Sequence, residues 1–152
     1  MNADILKLRH YCAYQERCHM EVREKCRQLG MWGDDVENAI AHLVEENFLN
    51  EERFAIAFAG GKFRMQQWGR KKIMMALKQK QISAYCLKKA MAAIDPEDYE
   101  NTLCMLAEKK YQSLRSEQYL KRRYKTLQFL LQRGFEQELA REAIEQIAKK
   151  TE

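Results

Sequence analysis

The sequence predicts an all-α protein built from nine short helices. Apolar residues recur at three- and four-residue steps along the chain, and no stretch alternates apolar and polar residues as a strand would. The single Pro and six Gly are too few for the many turns of an all-β fold. Hydrophobic residues make up 46% of the 152 positions, which is enough to bury a core.

Capping residues mark where the predicted helices begin. Asn50 and Ser83 suit N-caps, and Asp95 is an N-cap followed by Pro96 at the first helical position. Periodicity and caps together predict helices over residues 2–15 and 18–29, from 34, from 50, from 69 and from 83, from 96 to about 114, and over about 116–133 and 136–150.

Three further positions carry expectations about helix ends and continuity. Asp34 and Glu37 have the spacing of a capping box, which predicts a capped start for the third helix. Gly30 and Gly134 are placed to end helices. Adjacent glycines at 60–61 predict a kink or flexible point in the fourth helix, since each Gly costs about 1 kcal/mol relative to Ala.

The helices repeat in groups of three. Four apolar positions recur three times at separations of 51 and 53 residues, which is more than helical periodicity alone gives. We therefore predict three tandem three-helix units, over residues 2–48, 49–94 and 95–150, stacked into an elongated, curved array. The recurring sets are Cys26, Leu77 and Leu130; Met31, Ile82 and Phe135; Ala39, Ala90 and Ala143; and Leu43, Ile94 and Ile147.

Charge is distributed unevenly among the predicted units. The interval from residue 62 to residue 89 contains nine Lys or Arg and no Asp or Glu, although the chain has 22 acids. Such an interval favours a face that binds a negatively charged partner, with a solvated helix face as the alternative. The candidate contacts there are Lys62, Arg64, Arg70, Lys71, Lys72 and Lys78, and a second basic cluster contains Lys121, Arg122, Arg123 and Lys125.

The sequence offers no pattern for catalysis or cofactor binding. Five Cys without a C-x-x-C pair predict free thiols in a reducing compartment, so we expect a cytoplasmic protein. Three scattered His form no metal-ligand spacing, and no phosphate-binding Gly loop is present. No apolar run approaches the length of a membrane span. We expect a monomer that is not an enzyme and has no cofactor, metal or membrane partner.

Three segments of the chain form a recognisable set of motifs. They are residues 47–55 (NFLNEERFA); residues 69–73 (GRKKI) with 76–77 (AL) and 80–82 (KQI); and residues 17–26 (RCHMEVREKC). In this order and spacing they resemble the motifs of the RecX family, the regulatory proteins that act on RecA recombinase. The chain departs from the family at Cys18, where Ser is usual, and at Ala76 and Gln81, which replace an acid and a Gly.

The resemblance implies a binding protein rather than an enzyme. Family members bind the RecA–DNA filament, lie along its groove and limit its ATP hydrolysis and strand exchange. The RecA filament and DNA are therefore the expected partners, with the basic residues above as candidate contacts. Two alternatives stay open at this point: a helical module that binds DNA directly, and a helical-repeat scaffold without nucleic acid.

Overall fold

The computed structural model describes residues 2–151, and this part of the chain is helical without strands. The all-α prediction is confirmed. The nine helices are α1 (Asn2–Tyr14), α2 (His19–Gln28), α3 (Asp34–Glu45), α4 (Glu51–Gln66), α5 (Arg70–Gln79), α6 (Ala84–Ala92), α7 (Pro96–Ser113), α8 (Tyr119–Gln132) and α9 (Gln137–Thr151).

Most predicted caps are present. The Asn50 side chain accepts a hydrogen bond from the Arg53 N–H at 2.9 Å, and Asp95 accepts one from the Asp98 N–H at 2.9 Å. Ser83 Oγ accepts from the Cys86 N–H at 3.3 Å. These side chains satisfy donors that the first turn of a helix leaves without partners, which is why the sequence located these three helix starts correctly.

One local prediction was wrong, and another, the kink or flexible point at residues 60–61, stays a prediction. Gly33, with φ +64°, precedes α3 and Asp34 is already its first residue, so no side chain caps it and Glu37 instead binds Arg23 Nε at 3.2 Å. The helix α4 continues through Gly60 and Gly61 without a break. Burial of neighbouring apolar side chains on α4 offsets the low helix propensity of the two glycines.

The predicted repeat corresponds to one turn that occurs three times. At the end of α2, α5 and α8 a residue with positive φ allows the next N–H to reach back five residues to a carbonyl, as in a Schellman turn. Gly30, Gln81 and Gly134 hold the positive φ. The bonds run from Met31 to Cys26 (3.0 Å), from Ile82 to Leu77 (3.2 Å) and from Phe135 to Leu130 (3.1 Å).

The described residues divide into two compact units. The first contains residues 2–58 and Leu77–Ala90, and the second contains Ala59–Ala76 and residues 91–151. The helices α4 and α5 each contribute residues to both units. The division into three units, at 2–48, 49–94 and 95–150, remains a prediction.

The first compact unit has an apolar core from α1, α2 and α3. Leu8, Val22 and Leu43 are completely buried in it. Each such side chain contributes about 2 kcal/mol through removal from water. The core cluster also includes Cys12, Cys26, Ala39, Ile40 and Leu49.

The second compact unit is built around large aromatic residues. Tyr99, Tyr111 and Phe135 are its largest fully buried side chains. The Tyr99 ring centroid lies 5.3 Å from that of Phe135 and 5.7 Å from that of Phe63. Tilted aromatic pairs of this kind stabilise the core beyond the area that the rings bury.

All five thiols are free. Cys12, Cys18, Cys26 and Cys86 are buried in the first compact unit, and Cys104 is half-buried in the second. Burial raises the pKa of each thiol above its ordinary value. The thiolate form is therefore disfavoured at neutral pH in the folded protein.

Candidate binding surfaces

The helix α5 carries three exposed cations of the basic interval. Lys71, Lys72 and Lys78 are exposed, and Met75 between them is 63% exposed. The first turn of α5 has no acid. Among residues 2–151, none of these three lysines forms an ion pair, so their charges face solvent uncompensated.

The ring of Trp68 lies beside two of the predicted cations. Lys62 Nζ lies 4.9 Å and Lys72 Nζ 4.6 Å from its ring centroid. Ammonium groups at these distances are attracted to the electron-rich face of the indole. Trp68 is half-buried, so the ring holds two positive charges near the start of α5.

Arg70 is built into the second compact unit. Its guanidinium lies 3.8 Å from the Tyr99 ring centroid and forms an ion pair with Glu136 at 2.8 Å. The Arg70 N–H donates to Tyr99 Oη at 2.9 Å, and the Tyr99 hydroxyl donates to Glu136. Its charge is thus matched inside the unit, which favours a packing role over a contact with a partner.

Within this cluster the pKa values of Tyr99 and Glu136 shift in opposite directions. Burial and the bond to Glu136 raise the pKa of Tyr99 far above its usual value. Burial alone would raise the pKa of Glu136, but hydrogen bonds from Tyr99 and Arg70 outweigh it and hold that pKa below its ordinary value. Tyr99 therefore stays protonated as a donor while Glu136 stays ionised.

Glycine allows close backbone contact beside this cluster. The Gly69 N–H donates to the Arg133 carbonyl at 2.7 Å, and the Lys71 N–H donates to the Gly134 carbonyl at 2.9 Å. A Cβ on Gly69 would lie 2.3 Å from the Gly134 carbonyl carbon. The donors at the start of α5 are thereby satisfied by the turn between α8 and α9.

Arg64 lies back along its own helix. A Cβ on Gly60 would come within 2.7 Å of Arg64 Nη1, so the missing side chain leaves room for the guanidinium. Arg64 is exposed at the end of α4. It therefore adds positive charge to the surface without a core contact of its own.

The basic cluster on α8 is mostly engaged within the second compact unit. Arg122 Nε donates to the Tyr111 carbonyl at 2.8 Å, and its guanidinium lies 3.6 Å from the Tyr111 ring centroid. Arg123 forms an ion pair with Glu145. Such contacts leave these side chains less available to a partner than a solvated lysine.

The two lysines of this cluster differ. Lys125 binds Glu117, and that hydrogen bond lowers the pKa of Glu117. Lys121 is exposed and forms no ion pair within the described chain, although its charge also helps to lower the pKa of Glu117. Lys121 is therefore the α8 cation most comparable with Lys71 and Lys78.

Sequence reasoning missed a third group of cations, in the first compact unit. Lys7, Arg17 and Lys25 line one pocket there with two tyrosines. The first 50 residues carry nine acids and six Lys or Arg, and this average concealed the group. A prediction of which faces of α1 and α2 pack together would have placed these three cations near one another.

The described chain has neither a cluster of metal ligands nor a helix suited to a membrane. Between residues 2 and 151, no group of three or more His, Cys, Asp or Glu side chains is placed to hold a metal ion. None of the helices described is both long and apolar enough to cross a membrane.

The fold and these surfaces define an all-helical protein that displays cations on helix faces. Two family models match it: the second three-helix domain of RecX over residues 50–91, and the third three-helix domain of RecX over residues 97–144. The chain belongs to the RecX family.

Individual relatives are similar over much of this chain. The regulatory protein RecX of Clostridium perfringens (strain 13 / Type A) is 38% identical over 119 residues, which cover 76% of this chain and 55% of that protein. RecX of Clostridium botulinum (strain Eklund 17B / Type B) is 30% identical over 128 residues, covering 83% and 59%. The chain spans about half the length of the curated relatives it matches.

Crystal structures of RecX proteins share the fold. RecX from Lactobacillus salivarius superimposes with a TM-score of 0.85 at 24% identity, over 98% of this chain and 99% of that chain. Another crystal structure of regulatory protein RecX gives a TM-score of 0.85 at 21% identity, over 95% and 71%. At these identities the likeness establishes the fold alone.

Proposed function

We propose that this protein is a regulator that binds the RecA filament on DNA and restrains its ATP hydrolysis and strand exchange. The observation that carries the proposal is the set of uncompensated lysines on α5 in a chain of the RecX family. Its relatives are named regulatory proteins. In this proposal the protein acts in the cytoplasm as a monomer and performs no catalytic step.

The α5 lysines suit a filament because its DNA carries a regular array of phosphates. Lys and Arg give sequence-independent attraction to phosphate that weakens as salt increases. Lys71 and Lys78 lie two turns apart on the helix, with Met75 exposed between them. That stripe combines charge with one apolar contact and needs no base-specific side chain.

The candidate residues fall into an order of expected importance. Lys71, Lys72, Lys78 and Lys121 come first because they are exposed and form no ion pair within the described chain. Lys62 and Arg64 extend the charge of α5. Arg123 and Lys125 must exchange an intramolecular ion pair for the partner, and Arg70 and Arg122 support the fold.

The test measures DNA-dependent ATP hydrolysis by the cognate RecA at increasing protein concentration. We expect the wild-type protein to inhibit hydrolysis, and the Lys71→Glu/Lys78→Glu variant to inhibit about tenfold less well because two phosphate contacts are lost. Each lost contact with duplex phosphate lowers the log–log salt slope by about 0.9.

A matched control changes charge elsewhere. Lys109→Glu/Lys149→Glu alters two exposed lysines on α7 and α9 by the same amount, and should inhibit like the wild type. Unchanged hydrolysis at saturating wild-type protein would exclude the proposal. Equally tight binding to bare DNA and to filaments would favour the direct DNA-binding module instead.

A further inference from the structure

The first compact unit contains a pocket lined by cations and tyrosines. It is an open surface depression with a volume of about 390 Å³. No acid lines it. The lining residues are Lys7, His10, Tyr11, Tyr14, Arg17 and Lys25.

Arg17 is held in place at this pocket. Its Nε donates to the Tyr11 carbonyl at 2.9 Å, and its guanidinium carbon lies 3.7 Å from the Tyr11 ring centroid and 6.0 Å from that of Tyr14. Lys25 Nζ lies 5.5 Å from the Tyr11 ring centroid. A guanidinium fixed in this way binds an anion with little further loss of conformational freedom.

The bases of this part of the chain divide into two groups. Three of the six Lys or Arg in residues 1–50 form ion pairs: Arg9 with Glu46, Arg23 with Glu37, and Arg27 with Glu24. The other three line the pocket, and none of them has an acidic partner among residues 2–151. The three bases of residues 2–50 that form no ion pair within the described chain therefore lie together at one place.

The acids closest in sequence to Arg17 are directed to other partners. Glu16 forms an ion pair with Arg53 at 2.6 Å. Glu21 accepts from the Cys18 N–H at 3.0 Å and lies 3.6 Å from Lys80 Nζ. Each of these two carboxylates thus has its nearest cationic partner outside the pocket.

Tyr14 adds a stacking surface at the rim. It ends α1 and is 83% exposed, although a large aromatic side chain gains little from solvent exposure. Aromatic faces beside cations suit a ligand that joins a planar base to a phosphate. An acidic peptide would use the cations but would leave the Tyr14 ring without a matching group.

We propose that this pocket binds a nucleoside phosphate, with the phosphate at Arg17, Lys7 and Lys25 and the base stacked on Tyr14. The ligand is either a free nucleotide or one unit of a single-stranded nucleic acid. The site is separate from the α5 lysines in sequence, and it does not depend on RecA for its recognition chemistry.

The test titrates the isolated protein with four probes by calorimetry: deoxyadenosine monophosphate, inorganic phosphate, a short single strand of deoxyadenylate and a short oligoglutamate. We expect the nucleotide or the strand to bind more tightly than phosphate and oligoglutamate. Tyr14→Ala should weaken that binding about tenfold, in line with the loss of one base–aromatic stack. Lys7→Glu should weaken it and reduce its dependence on salt.

Trp32→Ala and Lys109→Glu are the matched controls. Trp32 is 82% exposed and does not line the pocket, so its removal should leave binding unchanged. Binding of both nucleotide and strand, or of the strand alone, supports the site and identifies the source of the ligand. The proposal is overturned if neither binds, if Tyr14→Ala and Trp32→Ala bind alike, or if phosphate or oligoglutamate binds as tightly.

This result is independent of the RecA assay. A protein that inhibits RecA but binds none of the probes would retain the proposed regulatory function and lose the pocket. A protein that binds the nucleotide through Tyr14 but leaves RecA unaffected would retain the pocket and lose the regulatory function.

Discussion

The segments α1–α3 and α7–α9 share two local structural features, a turn and an arginine–tyrosine contact, but the two segments differ in how far these features are buried. Each ends its second helix with a Gly in the left-handed region, Gly30 in one and Gly134 in the other. Each also places an arginine over a tyrosine ring and bonds it to the tyrosine carbonyl. In α7–α9 these features are covered by neighbouring chain, whereas in α1–α3 they are open.

The difference in burial between the two tyrosines distinguishes an arginine with a structural role from one that is accessible to a ligand. Tyr111 is 1% exposed, so the arginine above it completes a core. Tyr11 is half-buried and its arginine faces a pocket. An arrangement that stabilises one segment is thus accessible in the other, because its own compact unit covers it only in part.

The largest expected effect comes from the two turn glycines. A Cβ on Gly134 would lie 2.4 Å from Lys72 Cβ, whereas a Cβ on Gly30 would meet nothing within 4 Å. Gly134→Ala should therefore lower the free energy of unfolding by about 3 kcal/mol, from overpacking plus positive φ, and Gly30→Ala by about 1 kcal/mol. Urea denaturation followed by circular dichroism measures both. Equal losses would contradict the contrast between a covered and an open turn.

Replacing Arg122 and Arg17 should give unfolding free energies that differ less than those of the two glycine variants. Arg122→Ala removes a hydrogen bond and a stacked cation from a buried tyrosine, and should cost about 2 kcal/mol of unfolding free energy. Arg17→Ala removes the same contacts at a half-buried ring and should cost about 1 kcal/mol, since solvent replaces part of what is lost. The same denaturation assay applies, with Arg→Lys at each site as the control that keeps the charge. A greater loss at Arg17 would show that its contacts are structural.

The smallest effect has the opposite sign. Gln81 has a positive φ of +61° in the turn after α5, which is equivalent to the turns of Gly30 after α2 and Gly134 after α8. Gln81→Gly should raise the free energy of unfolding by about 1 kcal/mol because Gly adopts this conformation without a Cβ penalty. Gln81→Ala is the control and should give no gain. A destabilised Gln81→Gly protein would mean that the Gln side chain makes a contact worth more than the strain.

The fold was predictable from sequence to a large extent. Helical periodicity, the caps at Asn50, Ser83 and Asp95, and the recurring apolar positions all report local backbone chemistry, which a sequence expresses directly. The predicted capping box at Asp34 does not form. Gly33 is the N-cap residue instead, one position earlier, and the carboxylate of Glu37 accepts a hydrogen bond from Arg23.

The binding surfaces were less predictable because a cation's availability depends on its tertiary partners. Arg70 and Lys71 are neighbours in sequence, yet one is paired with Glu136 and the other is exposed. No local pattern distinguishes them. The same limit concealed the pocket at Arg17, whose cations come from α1, the residues before α2, and α2 itself.

The buried thiols allow the opening of the folded protein to be measured by alkylation. Cys12, Cys18, Cys26 and Cys86 belong to one compact unit, and Cys104 belongs to the other. An alkylating reagent reacts with thiolate, so these four sites gain mass only when their unit opens and both access and ordinary acidity return. Mass spectrometry of the labelled chain over time would thus give the opening rate of the first unit with no probe added to it.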